Sequence, residues 1–221
     1  MFQNSQVMPL FAVPVWAQQL DDELAATTNA HLLQQVDVLK AALPGTLAPG
    51  QEWQTRTDLH TLDAFSGMKD IILGASERVL GMLKVAPAPY EITGCWMNIK
   101  PRGTGHTLHS HANNYLSGVY YVRAPEGADN ITFHDFRMDR QVIVPRYTEP
   151  TPLTMHQVQV PVKTGVLIMF PGWLPHSVAA NPTDAERVSL AFNVMFSDFA
   201  ATLSKPSWDW AAEEMGQSVN S

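Results

Sequence analysis

Residues 105–122 read GHTLHSHANNYLSGVYYV, so that three closely spaced histidines lead directly into an apolar segment rich in β-branched and aromatic residues. Such a segment is typical of a buried β-strand. Similar short segments follow one another after Pro89, separated by Gly, Pro, Asp and Asn: EITGCWMNIK, YLSGVYYV, NITFHDF, QVIVPRY, HQVQVPV, GVLIMFPGW and RVSLAFNVMF. Seven strands with no helix between them predict an antiparallel sandwich or jelly roll.

Upstream of Pro89 the apolar residues recur at helical spacing. One such run extends from Leu20 to Leu43 and ends at Pro44-Gly45, and a second extends from Phe65 to Leu83. Both patterns predict amphipathic helices. We therefore predict one domain over residues 1–221, consisting of a two-helix N-terminal extension (1–89), a β core (90–200) and a C-terminal tail (201–221) in which Trp208 and Trp210 could dock on the barrel.

The composition limits the classes of partner. The formal net charge of −7 and the lack of a basic run argue against nucleic acid as a partner. No apolar run approaches the ~20 residues that a membrane span needs, and Pro9 and Pro14 interrupt the apolar N-terminus where a signal peptide would need a continuous core. A single cysteine, Cys95, suits a reducing compartment. We expect a cytoplasmic protein without membrane contact, whose helical layer could form a homodimer face.

Three histidines are candidate metal ligands. In a strand, positions i and i+2 point to the same side, so the imidazoles of His109 and His111 could reach one ion. His176 follows an apolar strand that ends in a Pro-rich turn, and it is the best candidate for a third ligand from a neighbouring strand. Asp135, in the segment FHDFR, is an alternative source of a third ligand. Neutral imidazoles suit Fe, Zn, Cu or Ni.

The last predicted strand carries a candidate carboxylate receptor. Because its residues alternate, Arg187 and Ser189 point to one face of the strand, and Val188 and Leu190 point to the other. A guanidinium donates two parallel hydrogen bonds to a carboxylate, and an adjacent hydroxyl adds a third. The order HxH, distal His and RxS therefore indicates a metal site with an anchor for a carboxylate beside it.

The order and spacing of these motifs resemble the double-stranded β-helix of the Fe(II)/2-oxoglutarate-dependent oxygenases. More closely, the chain resembles a family of 2-oxoglutarate/Fe(II) oxygenases whose substrates are unassigned, over about residues 8–197. The segments that carry this resemblance are LFAVPVW, HSHANNYLSGVYYV, ITFHDFR, FPGWLPHSV and RVSLAFN. The resemblance implies a cupin-like β-barrel that binds Fe(II) and consumes 2-oxoglutarate to hydroxylate or oxidise a small molecule or peptide that the sequence does not identify.

Carried onto this chain, the resemblance implies that His109, His111 and His176 hold the iron and that Arg187 and Ser189 bind the distal carboxylate of 2-oxoglutarate. By their position, Asn98 and Tyr121 could meet the co-substrate as well. His111 stands where the wider superfamily has a carboxylate ligand. This departure leaves two alternatives open: a cupin-type three-histidine dioxygenase that does not use 2-oxoglutarate, and a non-catalytic barrel that binds a metal or another ligand.

Overall fold

Two antiparallel β-sheets form the jelly roll that the sequence predicts. The structure is a computed structural model that describes residues 3–8, 10–41, 51–137, 144–151 and 153–202. The strands are β1 (Trp16–Gln19), β2 (Trp53–Gln54), β3 (Tyr90–Lys100), β4 (His106–His109), β5 (Leu116–Arg123), β6 (Asn130–His134), β7 (Gln157–Pro161), β8 (Val166–Pro171), β9 (His176–Val178) and β10 (Arg187–Phe196). The larger sheet has the order β1-β8-β5-β10-β3-β2, and the smaller has the order β4-β9-β6-β7.

The two long helices lie where the apolar periodicity predicts them, and a short third helix was not predicted. They are α1 (Asp22–Ala41), α2 (Ser66–Met82) and the short α3 (Ser197–Ala200). The side chain of Asp21 caps the start of α1, because its Oδ1 accepts a hydrogen bond from the Leu24 N–H at 2.9 Å. None of the helices in the described residues is long and apolar enough to cross a membrane.

The buried face of α1 agrees with the apolar run of the sequence at Leu32 and Val36 and differs from it at Leu24 and Asn29. Its buried residues are Ala25, Asn29, Leu32 and Val36, whereas Leu24 from the predicted apolar stripe is 43% exposed. Asn29 is tolerated in the core because its Oδ1 accepts a hydrogen bond from the Tyr120 hydroxyl of β5 at 2.9 Å. The partner of this polar residue is 91 positions away in sequence, so local periodicity could not identify it.

The larger sheet packs on the helices with one face and lines a cavity with the other. The helix-facing core joins α1 and α2 to alternate residues of β10, namely Val188, Leu190, Phe192 and Val194. The intervening residues Arg187, Ser189 and Ala191 line the cavity between the two sheets. A second apolar cluster, which includes Ile131, Phe133 and Phe170, fills part of the space inside the barrel. The alternation predicted for β10 is therefore confirmed.

Several short strands escaped prediction. β1 and β2 belong to the N-terminal part of the chain, yet they form the two edges of the larger sheet. β4 and β9 have only four and three residues. Of the predicted strand 141–147, residues 144–147 have no strand structure, and residues 141–143 lie outside the described residues. The predicted helix end at Pro44-Gly45 and the tail tryptophans also lie outside them.

The contact between Gly118 and Phe192 generates a stability prediction. A Cβ atom at Gly118 would lie 2.2 Å from the ring of Phe192, which is fully buried in the helix-facing core. We expect Gly118→Ala to lower the free energy of unfolding by about 1–3 kcal/mol through overpacking. Urea denaturation of the two proteins measures this difference.

Gly74 provides the matched control. It is exposed within α2, and a Cβ atom there meets nothing within 4 Å. Gly74→Ala should raise the free energy of unfolding by up to about 1 kcal/mol, because Ala has the higher helix propensity. Equal effects of the two substitutions would contradict the packing described for Gly118.

Candidate metal centre and co-substrate pocket

Strand pairing brings His109 and His176 together. β4 pairs with β9 in an antiparallel register that places His109 opposite His176. The centroids of the two imidazole rings are 4.2 Å apart. Two histidines that are 67 positions apart in sequence therefore become neighbours through two strands of only a few residues each.

His111 lies just beyond the end of β4 and is positioned by the turn that follows β8. Its N–H donates to the carbonyl oxygen of Gly172 at 2.8 Å. Its ring centroid lies 5.2 Å from that of His109 and 5.1 Å from that of His176. A Cβ atom at Gly172 would lie 2.4 Å from the carbonyl oxygen of Asn114, so only glycine permits this close approach.

The three histidines form a group that could hold a metal ion. One ring nitrogen from each of His109, His111 and His176 lies within 4.8 Å of the other two. The sequence predicted these three residues as neighbours, and the structure brings them together. Asp135 is not part of this group, because its carboxylate lies beside its own neighbour Arg137, whose Nε donates to Oδ1 at 2.8 Å.

The hydrogen bonds of the imidazoles leave the Nε2 atoms free for a metal. The Nδ1–H of His109 donates to the carbonyl oxygen of Thr107 at 2.8 Å, and that of His176 donates to the carbonyl oxygen of Leu174 at 3.0 Å. Nδ1 of His111 lies 2.6 Å from Oδ1 of Asn193. Metal-ligating histidines ordinarily make such a bond with their other ring nitrogen.

Burial keeps two of these rings in the neutral form that binds metals. It lowers the pKa of His176 to about 3, and the neighbouring histidines contribute to the same shift. Burial also lowers the pKa of His111, although its hydrogen bond to Asn193 opposes this effect. At neutral pH both rings are therefore uncharged, and three nitrogen donors on one side of an ion suit iron.

A cationic pocket adjoins the histidines. The residues that line it include Asn98, Tyr121, Arg187 and Ser189, which are all the co-substrate residues that the sequence predicted. Arg187 is only 4% exposed, and its guanidinium lies 5.2 Å from the centroid of the Tyr121 ring. None of the ion pairs formed within the described part of the chain involves Arg187.

Tyr121 supports the same interpretation of this pocket. Its hydroxyl is buried beside the Arg187 guanidinium and makes no hydrogen bond of ordinary geometry among the described residues. Burial raises the pKa of Tyr121, whereas the charge of Arg187 lowers it. A buried cation and a buried unpaired hydroxyl are both costly without a partner. A carboxylate in the pocket would satisfy both groups, so the residues present fit 2-oxoglutarate.

Sequence reasoning missed Lys100. This residue lies opposite Arg187 in the register of β3 and β10, lines the pocket, and is 5% exposed. Burial lowers the pKa of Lys100 to about 8, and the Arg187 charge adds to the shift. The Lys100 ammonium also forms an ion pair with the carboxylate of Glu52. The alternation of β3 could have identified Lys100, because it lies two positions after Asn98 and so points to the same face.

His106, three residues before His109, lines the same pocket. Its ring stacks on that of His109 with a centroid separation of 4.2 Å. Burial lowers the pKa of His106 to about 4, and nearby cationic groups contribute to the shift. His106 is outside the three-histidine group, so its imidazole forms a wall of the pocket beside the group.

These features are a jelly-roll fold, three converging histidines that could hold a metal ion, and a pocket beside them that contains a buried guanidinium. Residues 94–193 match the family described as "Putative 2OG-Fe(II) oxygenase". The resemblance seen in the sequence is therefore confirmed for the barrel core, and with it the class of enzyme and its two cofactors, Fe(II) and 2-oxoglutarate. No curated protein sequence matches the chain significantly.

Among the solved structures of similar fold are those of three enzymes. The non-heme α-ketoglutarate-dependent epimerase SnoN from nogalamycin biosynthesis has a TM-score of 0.61 at 17% identity, with 84% of this chain and 77% of that chain covered. HygX from Streptomyces hygroscopicus, with nickel and 2-oxoglutarate bound, has a TM-score of 0.58 at 11% identity and coverages of 84% and 83%. A prolyl-4-hydroxylase from Pseudomonas putida has a TM-score of 0.56 at 13% identity and coverages of 85% and 95%.

The buried charge of Arg187 generates a second stability prediction. In the ligand-free protein, Arg187→Met should raise the free energy of unfolding by about 1 kcal/mol, because it removes a desolvated cation that has Lys100 opposite it. Urea denaturation in the absence of metal and 2-oxoglutarate measures the change.

Arg102→Met is the control for this prediction. Arg102 forms an exposed ion pair with Asp184, so its removal should change the free energy of unfolding by less than about 0.5 kcal/mol. If Arg187→Met instead destabilises the protein, the guanidinium is already stabilised by contacts within the ligand-free protein, and the prediction is wrong.

Proposed function

We propose that this protein oxidises an organic substrate with dioxygen, using Fe(II) held by His109, His111 and His176 and 2-oxoglutarate held beside it. The observation that carries the proposal is the convergence of three imidazoles whose ring nitrogens lie within 4.8 Å of one another and whose Nδ1 atoms are already engaged. This arrangement presents three Nε2 donors and leaves the remaining coordination positions of an ion open.

We assign the distal carboxylate of 2-oxoglutarate to the cationic end of the pocket. Arg187 would donate a pair of hydrogen bonds, and the hydroxyl groups of Tyr121 and Ser189 would supply further donors. Ser189 pairs with Asn98 on one side and with Tyr121 on the other, so these three side chains form one row across the sheet. Lys100 adds positive charge beside Arg187.

The ligand set suits a doubly charged co-substrate. When bound, iron supplies the activation of dioxygen that couples conversion of 2-oxoglutarate to succinate and carbon dioxide with oxidation of the substrate. Three neutral imidazoles leave the site one charge more positive than two imidazoles and a carboxylate would. Together with Arg187, this excess of positive charge favours binding of the 2-oxoglutarate dianion.

A cupin-type dioxygenase that ignores 2-oxoglutarate is the second candidate. The three-histidine set favours it, because His111 stands where the 2-oxoglutarate-dependent superfamily has a carboxylate ligand. The buried guanidinium of Arg187, which forms no ion pair among the described residues, argues for the 2-oxoglutarate-dependent enzyme, since a cupin-type reaction supplies no carboxylate for that charge. The two candidates differ in whether an oxo acid binds beside the metal, and this difference can be measured directly.

Anaerobic titration with Fe(II) and then 2-oxoglutarate tests the proposed site. We expect a visible charge-transfer band, because a 2-oxo acid chelated to Fe(II) gives such a band. The band should be lost in His176→Ala, which removes one of the three ligands. Absorption spectroscopy under argon measures both results.

His134→Ala is the matched control for the titration. Nε2 of His134 is hydrogen-bonded to the Ser177 hydroxyl, and His134 lies outside the three-histidine group. Its replacement should therefore leave the charge-transfer band in place. Iron binding without a band would favour the cupin-type enzyme, and failure of the wild-type protein to bind iron would overturn the proposal.

A second prediction concerns 2-oxoglutarate alone. Arg187→Met should raise the dissociation constant for 2-oxoglutarate at least about 30-fold, because removal of one partner from a buried charge pair costs several kcal/mol. Its affinity for Fe(II) should stay near the wild-type value. Calorimetric titration of the metal-loaded protein measures the first quantity, and a metal-competition assay measures the second.

Arg123→Met is the control for this second prediction. Arg123 is a half-exposed cation of β5 that lies 4.0 Å from Glu186, outside the pocket lining. Its removal should leave the affinity for 2-oxoglutarate within about 3-fold of wild type. Equal losses in both variants would show that general positive charge, and not the guanidinium of Arg187, attracts the co-substrate.

A further inference from the structure

His111 differs from the other two histidines of the site in the hydrogen-bond partners of its Nδ1 atom. The Nδ1 partners of His109 and His176 are backbone carbonyl oxygens, which can only accept a hydrogen bond. In both rings the proton must therefore lie on Nδ1, and Nε2 is left bare for a metal. His111 instead meets two side chains, Asn193 and Ser117.

Asn193 and Ser117 form a closed hydrogen-bonded triangle with His111. Oδ1 of Asn193 lies 2.6 Å from Nδ1 of His111 and accepts a hydrogen bond from the Ser117 hydroxyl at 2.7 Å. The Ser117 oxygen also lies 2.8 Å from Nδ1 of His111. Because the Ser117 hydroxyl donates its hydrogen to Asn193, its oxygen can only accept a hydrogen bond from His111. Both atoms next to Nδ1 are therefore acceptors, and Nδ1 must carry the proton.

The fold builds this triangle from three separate parts of the chain. Asn193 of β10 pairs directly with Ser117 of β5, so both side chains point to the cavity from adjacent positions. The pairing of β10 with β3 shifts register between Asn193 and Val194. Such irregularities re-aim individual side chains and are common beside active sites. Here the shift occurs at the residue that contacts His111.

We propose that Asn193 and Ser117 are positioning residues that fix the Nδ1–H tautomer of His111 and thereby present its Nε2 to the metal. An amide can offer either its oxygen or its NH₂ group to a histidine, and the NH₂ group would place the ring proton on Nε2 and exclude it as a ligand. The Ser117 hydroxyl selects the amide orientation by donating to Oδ1. The inference rests on the proposed role of His111 as a ligand.

Two readouts test the proposal in four variants of the full-length protein. Long-range ¹H–¹⁵N NMR of the metal-free protein reports the tautomer of His111. Competition titration with Co(II), together with its visible d–d spectrum, reports affinity and coordination. The variants are Asn193→Leu, which removes the acceptor; Asn193→Asp, which keeps an acceptor that cannot donate; Ser117→Ala; and Asn29→Leu. Asn29→Leu is a matched control, because it removes a buried amide acceptor that serves Tyr120 in the helix-facing core.

We expect the wild-type protein to show His111 with its proton on Nδ1. Asn193→Leu should populate the Nε2–H tautomer, weaken Co(II) binding by about 10–100-fold and alter the d–d spectrum. Ser117→Ala should show the same effects to a smaller degree. Asn193→Asp should retain the Nδ1–H tautomer and bind Co(II) at least as well as wild type, and Asn29→Leu should match wild type in both readouts.

The proposal fails if His111 carries its proton on Nε2 in the wild-type protein, or if Asn193→Leu keeps both the wild-type tautomer and the wild-type Co(II) affinity. It also fails if Asn193→Asp loses affinity as severely as Asn193→Leu, because the acceptor would then not be what matters. These outcomes are independent of 2-oxoglutarate. A missing charge-transfer band with normal Co(II) results would overturn the proposed function alone.

Discussion

The alternation of side chains along β10 is the constraint on which the rest of this structure depends. The strand lies between β3 and β5 in the larger sheet, and both of its faces are covered. Val188, Leu190 and Phe192 complete the core beneath the helices, whereas Arg187 and Ser189 face the cavity. A slip of one residue would exchange the two sets and bury the guanidinium among apolar side chains. The packing of the helices therefore also specifies the orientation of the pocket residues.

The cavity side of the sheet concentrates groups that do not stabilise the folded chain. Arg187 is a buried cation that forms no ion pair among the described residues, and the Tyr121 hydroxyl is buried beside it. Lys100 lies opposite Arg187 and is desolvated by burial, although it pairs with Glu52. The helix-facing core, in which Tyr120 bonds to Asn29 and Phe192 packs on Gly118, compensates for this cost. Such a division between a stabilising face and a costly face is expected where ligand binding later supplies the missing partners.

Much of the fold was predictable because its long strands and its helices have strong periodic patterns. The two helices, the jelly roll and the alternation of β10 all follow from local apolar spacing. The short strands were not predictable, because β2, β4 and β9 contain four residues or fewer and gain their stability from neighbours. The buried position of Asn29 was also hidden, since a polar residue becomes acceptable in a core only when a distant partner satisfies it.

For the candidate site, the sequence by itself determined which chemistry is available: three histidines at strand ends, and an arginine and a serine that alternation places on one face. It did not determine which nitrogen of each ring is free. That was decided by contacts across the fold, because the Asn193 partner of His111 lies 82 positions away, and the Gly172 carbonyl that holds its backbone lies beyond the end of a different strand. A ligand's residue type is a local property of the chain, but its tautomer and direction depend on which neighbours the tertiary structure brings within hydrogen-bonding distance.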